Sequence, residues 1–395
     1  MTDRLYYTDA YLHEFEAQVT ACAPSAGGFA VTLSATAFYP TSGGQPHDLG
    51  RLAGHRIVDV VEDDDGCIVH VVDGPLDVGA RVHGVVDWAR RFDHMQQHTG
   101  QHVLSAAFET LCRARTESFH LGTAAATIDL GRPVSAQEIT AAEDDANRIV
   151  WQDREVHVRF VSAEAATNLP LRKESGRAGT LRLIDVTDYD LSACGGTHVA
   201  RTGGVGLISV TGWEKFKGGT RVEFRSGGRA LAQLREWRDA LAATNRALSV
   251  SPVELAPAIE RLQSENKALS RTVRRLQEQL AGQMAADLVA TGARVGGRVI
   301  VAQALEGWEA AGLKSIAAAV AATPGGCAAV FSTGQPALAV IARAADVPID
   351  ASAVLKALVA RFGGKGGGKP DLAQGGGLSG SLDDMVGAAR DLLSA

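Results

Sequence analysis

Short runs in which apolar and polar residues alternate dominate the first 88 residues. "FAVTLSAT" (29–36), "HRIVDVVE" (55–62) and "CIVHVVDG" (67–74) are separated by Gly, Asp and Pro. A period of two predicts half-buried strands. Between them "AFYPTSGGQPHDLG" (37–50) reads as a turn-rich loop with adjacent glycines Gly43 and Gly44. The period then changes. Over 90–112 the apolar positions Met95, Val103, Leu104, Ala107, Phe108 and Leu111 make one helical stripe, predicted to face a core. Strand or hairpin character follows at 116–130, a charged amphipathic helix at 136–152, and strands near 156–161 and 180–187. "SACGGTHVA" (192–200) reads as a glycine turn and 205–227 as a closing hairpin.

Residues 229–284 are long and helical. Leu255, Ile259, Leu262, Asn266, Leu269, Val273, Leu276 and Leu280 keep an unbroken 4-3-4-3 spacing, with Leu at every d position and Asn266 at one a position. That pattern favours a parallel two-stranded coiled coil, hence a homodimer through 255–280. The competing arrangement folds the seam back on residues 231–248 of the same chain. From 295 the strands "RVIVAQAL", "CAAVFSTG" and "PALAVIAR" alternate with Ala-rich helices near 309–322 and 351–362. In "GGKGGGKPDLAQGGGLSG" (363–380) nine of eighteen residues are glycine. Such a stretch is expected to stay unpacked, with backbone N–H groups free to approach an anion.

Composition narrows the class. The chain has 395 residues, 46% hydrophobic and 21% charged, with a formal net charge of −6. This is an ordinary balance for a globular protein, without a global basic field, so RNA contacts would need a local basic patch. "MTDRLYYTDA" lacks an apolar signal core, and no run approaches the ~20 apolar residues of a membrane span. Five scattered cysteines argue against a disulfide framework and for a cytoplasmic location.

All eleven histidines lie at or before His198. Three of them, His94, His98 and His102, fall at i, i+4 and i+8 on the first helix. His94 and His102 are ~12 Å apart along its axis and cannot share an ion. The pair is therefore His94/His98 or His98/His102. "CGGTH" offers a second short-spaced pair, Cys194 and His198, whose glycines permit a tight turn. Two imidazole/thiolate pairs far apart in sequence point to tetrahedral zinc. A metalloprotease helix is excluded because "HTGQH" has no glutamate to act as base.

"HTGQHVLS" and "CGGTHV", with "FYPTSGGQPHDLG", "TESFHLGTAAATIDL" and "GGTRVEFRSGGRAL", resemble the zinc-binding editing domain of alanyl-tRNA synthetases and of the free-standing alanyl-tRNA editing proteins of the AlaX type, in their long form. "GKGGGKPDLAQGGG" (364–377) resembles the C-terminal domain shared by those synthetases and DHH-type phosphoesterases. A phosphoesterase would need an Asp-His-His tripeptide, which the chain lacks. Residues 363–370 spell Gly-x-x-x-x-Gly-Lys, but Pro370 stands where Ser/Thr would hold magnesium, which excludes nucleotide hydrolysis.

The resemblance implies an α+β chain in four parts. These are a β-barrel-like N-terminal domain (1–88), a zinc-containing α+β editing domain (89–228), a helical coiled-coil segment (229–290) and a glycine-rich C-terminal α/β domain (291–395). It implies one Zn2+ per chain on His98, His102, Cys194 and His198, leaving His94 as a neighbour. It also implies hydrolysis in trans of the aminoacyl ester of mischarged alanine tRNA, serine first and glycine second. An alanine pocket cannot strongly exclude either, so a second sieve is useful. Thr116 and Ser118 match the family's hydroxyl-bearing segment as serine discriminators, and Gly43–Gly44 would cradle the terminal adenosine or the ester oxygen.

Two roles are open to the ion: activating a water or polarising the ester, and anchoring the amino acid. No side-chain base is assigned. Arg90, Arg91, Lys215 and Lys217 flank the zinc motifs, and Lys365 and Lys369 sit in the glycine-rich stretch. All six are candidate phosphate contacts for tRNA. An alternative of a different class, a non-catalytic zinc-stabilised tRNA-binding module, needs the same ligands.

Overall fold

A computed structural model describes residues 2–172 and 179–395. The chain is a mixed α/β protein of two compact units, Met1–Thr244 and Asn245–Ala395. Among the described residues no helix is long and apolar enough to cross a membrane.

The alternating runs of the N-terminal region close into a six-stranded barrel in the order Glu14–Ser25, Gly28–Leu33, Ile68–Val72, His55–Glu62, Gly50–Leu52, Arg81–Val86. Phe15, Ala17 and Val19 point inward from the first strand, and Val31, Leu33, Ile57, Val60, Ile68 and Val72 meet them. This is what a period of two produces when one face is buried. Closure leaves no free edge. His70 lies inside the barrel with both ring nitrogens bonded, to Thr36 Oγ1 and to the Val31 carbonyl, and burial lowers its pKa to about 4. It is a satisfied core histidine.

Helix α1 (Trp88–Cys112) starts at Asp87, whose side chain accepts the Arg90 N–H, and ends at Arg113 in the left-handed region. Met95, Val103, Leu104, Ala107 and Phe108 are fully buried against α2 (Ala136–Trp151) and a four-stranded antiparallel sheet. Leu111 departs from the expected stripe. It is 51% exposed, because in the last turn Cys112 rather than Leu111 turns inward. The four strands run in the order Ile208–Phe216, Gly219–Ser226, Ala126–Leu130, Thr116–Leu121. A second sheet, Val156–Ser162, Thr180–Val186, Asp190–Ala193, carries the single-turn helix α3 (Ala163–Ala166) and delivers the "CGGTH" turn. Helix α4 (Gly227–Leu248) follows the closing hairpin.

In the second unit α5 (Leu255–Thr291) buries Ala258 in its first turn and, in its C-terminal part, Ala281, Ala285 and Leu288, the last three on the same sheet face as α6 (Ala310–Ala321). The upstream seam is exposed: Ile259, Leu262, Leu269, Val273, Leu276 and Leu280 lie open, Leu269 at 69%. Helices α7 (Ala351–Phe362) and α8 (Leu382–Ser394) cover the other face of a six-stranded sheet, packing Leu355, Leu358, Met385 and Leu393 on Phe331 and Ile341.

The glycine-rich stretch corrects the expectation of an unpacked loop. Lys365–Gly368 pairs antiparallel with Leu372–Leu378, and this hairpin completes the sheet. Backbone hydrogen bonds need no side chains. Glycine is required at the closest approach: a Cβ on Gly366 would lie 2.5 Å from Gly375 Cα. Lys365–Gly368 is the edge strand of the sheet, so the N–H groups that face Leu372–Leu378 are engaged in the ladder while those on the outer edge stay open.

Candidate metal centre and the adjoining cavity

His98 and His102 occupy successive turns of α1, and Cys194 and His198 come from the loop after Asp190–Ala193. The structure brings one ligand atom of each within 4.8 Å of all the others. Cys194 Sγ lies 3.4 Å from His98 Nε2 and 3.5 Å from His198 Nε2. A tetrahedral ion with Zn–S near 2.3 Å and Zn–N near 2.0 Å gives an S···N edge of about 3.5 Å. The donor set fits zinc. His94, one turn earlier, is buried but outside the cluster. Burial, then the charges of Arg90, Arg229 and Arg91, lower its pKa to about 3.

The residues behind the ligands decide which ring nitrogen faces the cluster. His98 Nδ1 donates to Gln45 Oε1 at 2.7 Å and His102 Nδ1 to Asp190 Oδ2 at 3.1 Å, and His198 Nδ1 shares a hydrogen bond with Thr99 Oγ1 at 3.1 Å. His98 and His102 thereby carry a proton on Nδ1, and in all three rings the bond at Nδ1 leaves Nε2 to face the cluster, as metal-binding histidines do. Each partner is itself fixed. Gln45 Nε2 donates to Thr197 Oγ1 at 2.9 Å, and the Thr197 N–H donates back to Gln45 Oε1. Asp190 accepts from Arg172 Nε at 2.6 Å and from Ser192 Oγ, while Thr99 Oγ1 accepts the Val199 N–H.

Glycine is obligatory at Gly196, where a Cβ would lie 2.2 Å from the His98 ring. Arg182 Nη1 pins the turn by donating to the carbonyls of Cys194 and Gly196 at 2.7 and 2.9 Å.

The electrostatics favour a thiolate at Cys194 and a neutral imidazole at His198, whereas at His102 burial, which lowers the pKa, is outweighed by the bonds to Asp190 and Cys194, which raise it. Burial alone would raise the Cys194 thiol, but the neighbouring His98 charge and bonds from His102 and His198 outweigh it and hold the thiol well below its usual range. Burial and the neighbouring His98 lower His198 to about 3. Both are the protonation states a divalent ion takes up.

A cavity of about 580 Å3 opens beside the cluster, and His98, His102 and Cys194 form part of its wall. Thr116 and Ser118, on Thr116–Leu121, line it too. Thr116 Oγ1 donates to Ser105 Oγ at 2.8 Å, which also accepts Gln101 Nε2 at 2.9 Å. Ser118 Oγ is turned onto Asp129 Oδ2 at 2.6 Å. Gly43 lines the cavity, at the tip of a turn closed by Ser42 and Gln45. Gly44 is not on that wall. Its φ is +87°, its carbonyl accepts the Leu121 N–H, and a Cβ would lie 2.7 Å from the Phe119 carbonyl oxygen.

The proposed cationic contacts separate. Lys215 and Lys217 are exposed near the tip of the Ile208–Phe216/Gly219–Ser226 hairpin, and Lys365 and Lys369 are exposed in the second unit. Arg90 is half-buried and donates to the His47 carbonyl. Arg91 must be corrected. It is 0% exposed, paired with Asp48, and donates to the carbonyls of Ala10 and Ala37. A buried guanidinium whose donors are already engaged cannot grip phosphate, so Arg91 is a strut between the barrel loop and α1.

Sequence reasoning missed Gln45, Thr99 and Asp190. The first two lie inside motifs singled out for other residues, "TSGGQP" and "HTGQH". Nothing local marks Asp190.

The family model described as "Threonyl and Alanyl tRNA synthetase second additional domain" matches residues 181–223, and the DHHA1 domain matches 296–395. Among curated relatives, alanine–tRNA ligase of Halorubrum lacusprofundi is 35% identical across 99% of this chain and 44% of its own length. The Pyrococcus abyssi ligase is 32% identical across 95% and 42%. The chain thus spans less than half of these ligases. Alanyl-tRNA editing protein AlaX-L of Pyrococcus horikoshii is 30% identical over 388 residues, which cover 95% of this chain and 94% of that protein. A solved C-Ala domain from Aquifex aeolicus alanyl-tRNA synthetase is 24% identical, covering 26% of this chain and 97% of its own with a TM-score of 0.25. With an alanyl-tRNA editing protein 30% identical and matched almost end to end on both chains, this chain belongs to the family of alanyl-tRNA editing proteins.

Proposed function

We propose that the protein is a trans-acting hydrolase that removes the wrong amino acid from alanine tRNA, with Ser-tRNA(Ala) the main substrate and Gly-tRNA(Ala) the second. The observation that carries this reading is that three residues of the four-residue cluster, His98, His102 and Cys194, line a cavity large enough for an esterified nucleoside. A purely structural zinc site has no use for such a cavity. His98, His102, Cys194 and His198 would hold the ion, and zinc bound there supplies Lewis acidity toward an ester or a water.

The chain's own residues provide orientation. Gln45, Asp190 and Thr99 fix the imidazoles. Thr116 Oγ1, whose proton is given to Ser105, turns lone pairs toward the cavity to accept the hydroxyl of a seryl ester; alanine's methyl earns nothing there. Hydrolysis adds water across the acyl C–O bond, releasing the amino acid and the free ribose hydroxyl. Arg90, Lys215, Lys217, Lys365 and Lys369 are read as non-specific phosphate contacts.

The exposed seam of α5 is read as a homodimer interface through 255–280. Light scattering at micromolar concentration tests it, and a monomer would reject it.

Hydrolysis is tested by incubating the zinc-loaded protein with Ser-tRNA(Ala) and Ala-tRNA(Ala) side by side. Fast loss of serine and slow loss of alanine is expected. Decay of both at the buffer rate would leave a non-catalytic tRNA-binding module.

A further inference from the structure

Two buried hydrogen-bond donors on the cavity wall have no acceptor among the described residues. Tyr6, in the 3-10 turn Leu5–Tyr7, is 1% exposed, and its hydroxyl has no partner among the described residues. Arg182 is 7% exposed; Nε gives its proton to the Tyr7 carbonyl and Nη1 serves the Cys194 and Gly196 carbonyls, but Nη2 is buried without a partner among the described residues. Both residues line the cavity beside the metal centre. They are neighbours across Tyr7. The Tyr6 ring meets Tyr7 edge-on at 5.0 Å, and the Arg182 guanidinium lies over Tyr7 at 5.2 Å. Orphaned donors are rare in folded proteins and a charged one is the most expensive to leave unpaired. Two on one cavity wall mark a place built for an acceptor.

The acceptor's chemistry follows from charge. Arg4 and Arg172 on the same wall are each matched by a carboxylate, Glu62 and Asp190. Arg182 has no carboxylate partner among the described residues; it faces carbonyls, the Tyr7 ring and the Cys194 thiolate. It also holds the carbonyl of Cys194, which places it next to the metal centre. An aminoacyl ester seated there carries an ammonium, which a guanidinium repels, and one anion within reach, the phosphate on the 5′ oxygen of the same ribose.

We propose, on the deacylase reading above, that Arg182 Nη2 and the Tyr6 hydroxyl form the subsite for the 5′ phosphate of the esterified terminal nucleotide. This pair positions the ester through a backbone group that every tRNA shares. It contributes to register rather than to choice of amino acid.

The test compares the 3′-seryl ester of adenosine with that of adenosine 5′-monophosphate, using the full-length zinc-loaded protein. The phosphorylated ester is expected to show kcat/KM at least about tenfold higher, mainly through KM, since the contact is charge-assisted. Tyr6→Phe removes one orphan hydroxyl and nothing else. It is expected to reduce that advantage several-fold, leave the unphosphorylated ester unchanged and keep the melting temperature at or above that of the parent. Arg182→Lys is expected to lower the advantage further. Equal rates on the two esters, or an unchanged advantage in Tyr6→Phe, would overturn the subsite.

Isothermal titration with adenosine 5′-monophosphate and adenosine separates the two claims. Tighter binding of the monophosphate, lost in Tyr6→Phe, supports the subsite even if neither ester is hydrolysed. Equal binding rejects it even if Ser-tRNA(Ala) is deacylated.

Discussion

The side-chain carbonyl of Gln45 accepts the Nδ1 proton of His98 at 2.7 Å, so a loop of the barrel region sets the tautomer of a histidine on α1. The same amide grips Thr197 from both ends, within the turn that carries Cys194 and His198. One buried residue therefore registers both halves of the metal cluster. Gln45→Ala is expected to leave the fold intact and weaken zinc binding by about 10–100-fold, as loss of such a supporting contact does. Competition with a chromogenic chelator reads this directly. Unchanged affinity would reduce Gln45 to packing.

Arg91 and Asp48 form a fully buried pair. Removing one partner strands the other charge, so Arg91→Ala is expected to destabilise the protein by about 3–5 kcal/mol in urea unfolding. Had Arg91 been an RNA contact, the variant would keep its stability and lose tRNA affinity instead.

Thr116→Val keeps the shape of the side chain and deletes the hydroxyl. Deacylation of Ser-tRNA(Ala) is expected to fall by about tenfold, the worth of one hydrogen bond in a dry site, with little change for Gly-tRNA(Ala). Parallel single-turnover rates on the two substrates check it. An equal fall on both would point to a structural role for the Thr116–Ser105 bond.

A pH effect is expected away from the centre. Arg132 and the Ser135 backbone hold Glu138, in the capping box of α2, down to about 2. A carboxylate whose folded pKa is depressed stabilises above its unfolded value near 4.3, and that stabilisation is lost as pH falls toward 2. Glu138→Gln should therefore lower the melting temperature at pH 6 and differ little from the parent near pH 2. A constant difference across that range would contradict the assignment.

Much of this architecture is legible in residue order because its signals are local. Strand alternation at 55–62, the stripe on α1 and the strand Arg298–Leu305 each follow from neighbours a few positions away. The two short-spaced pairs are legible for the same reason, but spacing leaves His94/His98 and His98/His102 equally open, and it is the resemblance to the editing domain that points to His102. Arg91 is not legible, because its partner Asp48 lies 43 positions away and only tertiary approach turns a surface-type charge into a strut. Asp190 and Arg182 are equally silent, since their work lies in contacts across sheets and loops. The glycine-rich stretch misleads for another reason. Pairing there uses main-chain groups alone, which composition does not display.

The central claim is that the cluster of His98, His102, Cys194 and His198 binds zinc and that deacylation depends on it. The most direct measurement follows serine release from Ser-tRNA(Ala) by the protein as purified, after chelation, and after zinc is restored, with metal content determined in each sample and in Cys194→Ala. One zinc per chain, activity lost on stripping and regained on reloading, and both metal and activity lost in Cys194→Ala are the predicted results. Full activity in a metal-free sample, or stoichiometric zinc retained by Cys194→Ala, would contradict the account.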